Sequence, residues 1–300
     1  MIYSCLHTHT ELCDGSGTVE DYCNAAFEKG LVSIGFSAHA PLAKKINMPS
    51  DWHLADENVE SYCALVRAEK EKWSGKLAVY LGLEVDYIKN YVSPADSDFQ
   101  KLGLDFIIAS VHILLPDHSP VNWAEKIVGG KKLIGVDGSE DELRILIKYG
   151  WNGDGFALAE SYWEAVIEMC GQGKFDILGH CDLIKKYNGG NKFFSTKDSR
   201  YIQYVKKLAS LLADLNIVVE LNTGGLNRGK INECYPSLDI LKIFRKKNIP
   251  VTINADAHIP AHLNGHYETA RTVLLEAGYT DTMLFKGREN GEPLWEKTPL

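Results

Sequence analysis

Residues 5–15 read "CLHTHTELCDG", two histidines one position apart with an aspartate close behind. On an extended strand, residues i and i+2 point to the same side, so His7 and His9 can aim two imidazoles at one point while Asp14 follows after the turn. Paired imidazoles are the start of a metal chelate, because neutral nitrogen donors suit borderline ions such as zinc. Similar residues recur along the chain: His39 in "GFSAHAP", Glu84 in "YLGLEVD", His112 in "IIASVH", His180 in "ILGHCD", and Asp256 with His258 in "INADAH". Together they offer nine nitrogen and oxygen donors with no thiolate at a matching position. Such a set suits zinc, iron or manganese, and at about three protein ligands per ion it suggests two or three ions sharing a carboxylate.

Short apolar runs precede these motifs. The candidate strands are Ile2–His7, Ser33–Ser37, Ala78–Val85, Phe106–Val111, Asp176–Gly179, Ile217–Leu221 and Val251–Asn254. Six of the seven deliver an imidazole or carboxylate at the C-terminal end. Amphipathic stretches lie between them. Thr18 opens a capping box with Asp21, and Gly30 stops that helix. Val59, Tyr62, Cys63 and Val66 form one apolar stripe, and Trp163, Val166, Ile167 and Cys170 another. A third is Tyr201, Val205, Leu208, Leu212 and Leu215. All three read as core. Strands alternating with helices imply an α/β barrel, whose strand ends share the one face where barrel enzymes keep their active sites. No linker or repeat divides the chain, which reads as one domain over 1–300. The long Pro- and Gly-rich stretch Ile113–Gly138 is expected to be a lid.

Composition narrows the function classes. A formal charge of -8 with no long Lys/Arg block argues against a nucleic-acid partner. Seven scattered cysteines without a CxxC pair read as reduced thiols, and Cys5, Cys13 and Cys181 near the motifs read as packing residues. Met1 opens almost directly onto a strand and no apolar stretch approaches a membrane span, so a cytoplasmic protein is expected.

As an ordered set, HxH after the first strand, "SAHAP", "GLE", "SVH", "GHCD" and a late "ADAH" resemble the PHP (polymerase and histidinol phosphatase) superfamily, most of all its histidinol-phosphate phosphatases. The resemblance implies a distorted seven-stranded (β/α) barrel, TIM-barrel-like, with a trinuclear metal centre on its rim. It would place a first metal with His7, His9, Glu84 and Asp256, a second with His112, His180 and a bridging Glu84, and a third with Asp14, His39 and His258. Two positions depart from the common pattern. Ala38 stands where many relatives carry Asp, and Asp14 stands where some use histidine, a change toward harder ions.

The resemblance further implies hydrolysis of L-histidinol phosphate, in histidine biosynthesis, by a metal-bridging hydroxide. Three dications against three carboxylates leave a site of about +3, able to draw a small phosphorylated substrate into an acidic protein. Glu84, Asp256 and His180 would be catalytic, and Lys185 and Arg228 would hold the phosphate. Asn222 and Thr223 could instead be turn-makers. The imidazole and ammonium of histidinol call for a carboxylate or an aromatic wall. Asp154, Glu160, Tyr162, Trp52, His53, His118 and Trp123 lie in stretches that could supply one. The alternatives are another small phosphate monoester or diester, or a non-catalytic metal-binding module of the same family.

Overall fold

The computed structural model describes residues 3–117, 119–130 and 133–300. His118 and Ile2 lie outside the described residues.

Seven strands form one parallel sheet in sequence order: β1 (Ser4–Cys5), β2 (Ser33–Phe36), β3 (Ala78–Asp86), β4 (Phe106–Ser110), β5 (Ile177–Leu178), β6 (Val218–Asn222) and β7 (Val251–Asn254). Every neighbouring pair is parallel. The ends of the sheet meet across an isolated parallel bridge, Thr8 with Ala257, in which His9 N–H donates to Ala257 O at 2.9 Å and Ala257 N–H to His7 O at 3.0 Å. A nearly closed α/β barrel results. The ladder of β1 is shorter than the apolar run suggests: beyond Cys5 the contact with the β2 side passes through Thr8, which bonds Gly35 and Ser37, while Leu6 reaches toward β7. Leu6 N–H donates to the Asn254 side chain at 2.7 Å.

The strands are buried almost throughout, as strands with helices outside and a filled barrel inside must be. Phe106 occupies the interior against Gly82, where an added Cβ would come within 2.4 Å of its ring. Outside, the helix Val19–Glu28 begins at the expected capping box: Asp21 N–H donates to Thr18 Oγ1 at 3.1 Å and Thr18 N–H to Asp21 Oδ2 at 2.8 Å. The helices Val59–Lys72, Gly155–Gln172 and Ser199–Leu212 bury the expected stripes, with Val59, Ile167 and Leu215 at their half-buried margins.

Two strands lie outside the sequence reading. β8 (Asp281–Glu289) and β9 (Glu292–Pro299) form an antiparallel hairpin. Its Phe285 and Trp295 pack with Leu6, Tyr80, Phe106, Ile108 and Ile177, and Arg288 donates to Asp176 Oδ2 at 2.5 Å. These partners sit at or near the strands' starts, so the hairpin closes the end opposite the histidine-bearing rim. The segment 113–138 carries the short helix Glu125–Val128 and returns to the rim through a bridge of Ile113 with Gly135. No helix among the described residues is long and apolar enough to cross a membrane.

Candidate active site

Glu84 stands at the centre of the rim. Its fully buried carboxylate comes from the inward face of β3. Oε2 lies 3.0 Å from His7 Nε2, 3.5 Å from His9 Nε2 and 3.2 Å from His39 Nδ1. Oε1 lies 3.1 Å from His180 Nε2 and 3.6 Å from His112 Nε2, and accepts the Ser110 hydroxyl at 2.6 Å. One carboxylate therefore faces five imidazoles, three on one oxygen and two on the other. This is the geometry of a bridging ligand.

Asp256 and Asp14 complete the cluster. Asp256 Oδ1 lies 3.7 Å from His7 Nε2, 3.5 Å from His9 Nε2 and 3.4 Å from His258 Nδ1. Asp14 reaches His9 Nδ1 at 3.4 Å, His39 Nε2 at 3.7 Å and His258 Nε2 at 3.1 Å. All nine residues singled out from the sequence thus meet. Asp256 is held at φ 48°, in the left-handed region that Asp tolerates better than most residues. Its carboxylate fits only because residue 224 is glycine: a Cβ there would stand 2.6 Å from Asp256 Oδ2.

The protonation pattern follows from this crowding. Burial opposes charge on His112, but Asp86 and Glu84 outweigh it and push its pKa up to about 10. Burial lowers His39 to about 3 despite Glu84 and Asp14. Glu84 and Asp256 are also desolvated, yet surrounding cationic groups hold both carboxyls well below the usual range. Among the described residues, buried His9 Nε2, His39 Nδ1 and His180 Nδ1 have no hydrogen-bond partner. Each such atom costs about 1–3 kcal/mol unless something satisfies it. Four overlapping groups have donor atoms within 4.8 Å of one another: His9, Asp14, His39 and His258; His7, His9 and Asp256; His7, Glu84 and His180; and His39, Asp86 and His112. The orphaned His9 and His39 nitrogens lie beside the ionised Glu84, an arrangement that fits divalent cations.

The cluster opens into a cavity of about 650 Å³ lined also by Trp52, Asp137, Lys186, Tyr187, Arg228 and Lys230. Arg228 points at the cluster, with Nη2 donating to Asp256 Oδ2 at 2.9 Å and Nη1 2.8 Å from His258 Nδ1.

Residues 6–224 match the PHP domain family. The chain belongs to that family. Among curated proteins, it is 27% identical over 284 residues to a Deinococcus radiodurans protein named "Probable histidinol-phosphatase", covering 94% of this chain and 96% of the relative. It is 27% identical over 274 residues to the histidinol-phosphatase of Bacillus subtilis, covering 87% and 96% respectively. A solved structure from Lactococcus lactis, a histidinol phosphate phosphatase complexed with zinc, L-histidinol and phosphate, overlays with a TM-score of 0.66 at 20% identity. That overlay covers 95% of this chain and 98% of the other, and establishes the shared PHP barrel.

Several expected contacts lie elsewhere. Lys185 is not on the cavity. It is buried, 2.9 Å from Asp182 Oδ2 and 3.2 Å from Glu233 Oε1, and donates to Cys234 O at 3.0 Å. The short helix Leu183–Lys185 turns its last residue inward, so the next residue, Lys186, presents the cation to the cavity. Of the residues offered for the leaving group, Trp52 lines the cavity, while His53 lies behind it, 2.6 Å from Ser50 Oγ and 2.9 Å from Asp86 Oδ2. Asp154 caps the helix Gly155–Gln172, Tyr162 is buried in it, and neither Glu160 nor Trp123 lines the cavity. Asn222 and Thr223 shape the turn: Asn222 accepts Gly224 N–H at 2.7 Å and Thr223 donates to Gly265 O at 2.8 Å. Cys13 Sγ lies 3.7 Å from His9 Nδ1, and burial pushes its thiol up to about 12, so it stays neutral.

Two supporting carboxylates escaped the sequence reading. Glu220 Oε1 lies 2.7 Å from His7 Nδ1, and Asp86 Oδ1 lies 2.8 Å from His112 Nδ1. Each fixes the ring so that Nε2 faces the cluster. The signal was present for Asp86. It stands two residues after Glu84 on one strand, the spacing that made His7 and His9 notable.

Proposed function

We propose that this protein hydrolyses L-histidinol phosphate to L-histidinol and phosphate as a metal-dependent phosphoric monoester hydrolase. The observation that carries the reading is the single carboxylate of Glu84 facing five imidazoles at the floor of a cavity that also holds Arg228 and Lys186. Both curated relatives bear the histidinol-phosphatase name, and they align over nearly their whole length.

In this reading His7, His9, Glu84 and Asp256 hold one ion, Glu84, His112 and His180 a second, and Asp14, His39 and His258 a third. Zinc, iron or manganese suits these donors. Bound there, such ions would supply Lewis acidity and lower the pKa of a nearby water. The chain's residues do the rest. Glu220 and Asp86 hold His7 and His112 in the tautomer that leaves Nε2 free. Arg228, held by Asp256 and His258 on the cluster's edge, adds a permanent guanidinium charge to the cavity wall that attracts the phosphate. Lys186 adds a second cation. Trp52 packs edge-on to His39, ring centroids 4.8 Å apart, and gives the leaving group an apolar wall. The seven unpaired cysteines suit the reducing cytoplasm, where we place the enzyme.

The test is phosphate release from a panel of small monoesters and diesters by metal-loaded protein. A kcat/KM for L-histidinol phosphate well above the rest supports the assignment. Turnover of another ester with none of histidinol phosphate overturns the substrate, and no turnover at all overturns the enzyme.

A further inference from the structure

On the cavity wall beyond the cluster, Lys186 Nζ and Asp137 Oδ2 form an ion pair at 2.9 Å between two rim segments. Asp137 sits at the end of the long segment after β4. Val136 N–H donates to His112 O at 2.8 Å and Gly135 bridges Ile113, so the aspartate is pinned beside a ligand histidine. It also interacts electrostatically with Arg228. Lys186 follows His180 by six residues, at the end of the short turn after β5. Of the remaining carboxylates on the cavity outside the cluster, Asp51 is exposed and Glu142 lies 3.4 Å from the Gly135 N–H. Asp137 is the cavity carboxylate paired with Lys186.

An anion entering this space draws Lys186 away from Asp137 and leaves a carboxylate facing a phosphate. That repulsion disfavours any ester that brings only negative charge. A substrate carrying an ammonium near its phosphate ends with both charges matched. Resting on the phosphatase reading above, we propose that Asp137 selects the leaving group by taking its ammonium as the phosphate takes Lys186, one ion pair exchanging for two. The substrate class is therefore a phosphate monoester with an amine close to the ester carbon.

The experiment compares L-histidinol phosphate with its des-amino analogue, 3-(imidazol-4-yl)propyl phosphate, on wild type, Asp137→Asn and Lys186→Met. Wild type should favour the amine ester by about 10- to 100-fold in kcat/KM, the scale set by one charged hydrogen bond won or left unpaired. Asp137→Asn should slow the amine ester and speed the des-amino ester, so that the preference collapses. Lys186→Met should slow both alike and keep the preference. An Asp137→Asn protein that slows both esters by one factor overturns the proposal, because Asp137 then only positions Lys186. Wild type without an amine preference overturns it too. If wild type hydrolyses neither ester, the substrate reading has failed, and calorimetric titration with L-histidinol and the des-amino alcohol, in saturating inorganic phosphate to engage Lys186, decides the role of Asp137. Binding of L-histidinol and not of the des-amino alcohol, weakened about tenfold or more in Asp137→Asn, supports that role, and equal binding by both proteins overturns it.

Discussion

Replacing Glu220 by glutamine removes one charge and almost no volume from a site with 0% exposure. Its Oε1 lies 2.7 Å from His7 Nδ1, while Oε2 accepts the His180 backbone N–H at 3.0 Å and the Asn222 side-chain amide at 2.9 Å. Three donors point at two oxygens, and glutamine has one oxygen to offer. With its NH₂ in place of Oε2, it meets the His180 N–H and the Asn222 amide, and two buried donors go unpaired at about 1–3 kcal/mol each. With its NH₂ in place of Oε1, it donates to His7 Nδ1, which forces the His7 proton onto Nε2. That nitrogen faces Glu84 and Asp256, and while protonated it cannot bind a metal. The second orientation avoids the orphaned donors, so the fold survives and the metal suffers. Loss of such a partner weakens metal binding by about 10- to 100-fold. The assay is zinc competition with a chromophoric chelator, with far-UV circular dichroism and Tm on the same samples. A wild-type spectrum with that loss of affinity is expected. Glu220→Gln protein that binds zinc as tightly as wild type would refute the tautomer argument.

His180→Ala should abolish phosphate release while leaving far-UV circular dichroism close to wild type, since a rim ligand supports chemistry more than core; retained turnover would remove His180 from the site. In the metal-free protein the His112 pKa is raised to about 10, so its contribution to stability is fully present below about 6.5 and is lost as pH rises through about 10. Thermal melts of stripped protein should fall across that window, and a rise there would reverse the sign. Because metal must displace that proton, zinc binding at pH 7 should release at least about one proton per chain; calorimetry in buffers of differing ionisation enthalpy measures it, and zero release would contradict the protonation pattern. Lys185→Met breaks a buried pair by removing one partner and should cost about 3 kcal/mol of stability with little change in KM. A raised KM at unchanged Tm would return Lys185 to the substrate site.

The candidate ligands were legible because they sit at strand ends. A histidine or carboxylate closing an apolar run is visible in one dimension, and a parallel barrel brings such ends together whatever the loops do. Helix stripes and the Thr18 cap were readable for the same local reason. The choice between Lys185 and Lys186 was not. It turns on which way a three-residue helical turn faces, and tertiary packing around Asp182 settles that. Glu220 reads in sequence as an odd charge in the apolar run "VVELN", and only the closed barrel shows that it reaches His7 across from β6. The hairpin of β8 and β9 has a turn signal in the sequence, Asn290-Gly291. Asn290 and Gly291 both adopt positive φ, 53° and 85°, the conformation that Asn-Gly favours in a tight hairpin turn. Flanking charges hid its alternation. Phe285, which the hairpin sets against the barrel's interior cluster, is 1% exposed.

The central claim is that Glu84 and its five imidazoles hold the ions that make this barrel a phosphatase. The most direct measurement titrates metal back into stripped protein while following phosphate release from L-histidinol phosphate, with metal per chain determined on the same samples by elemental analysis. Stripped protein should release no phosphate, and activity should climb with occupancy to a plateau at about two or three ions per chain. Full phosphate release by protein without metal would contradict the claim.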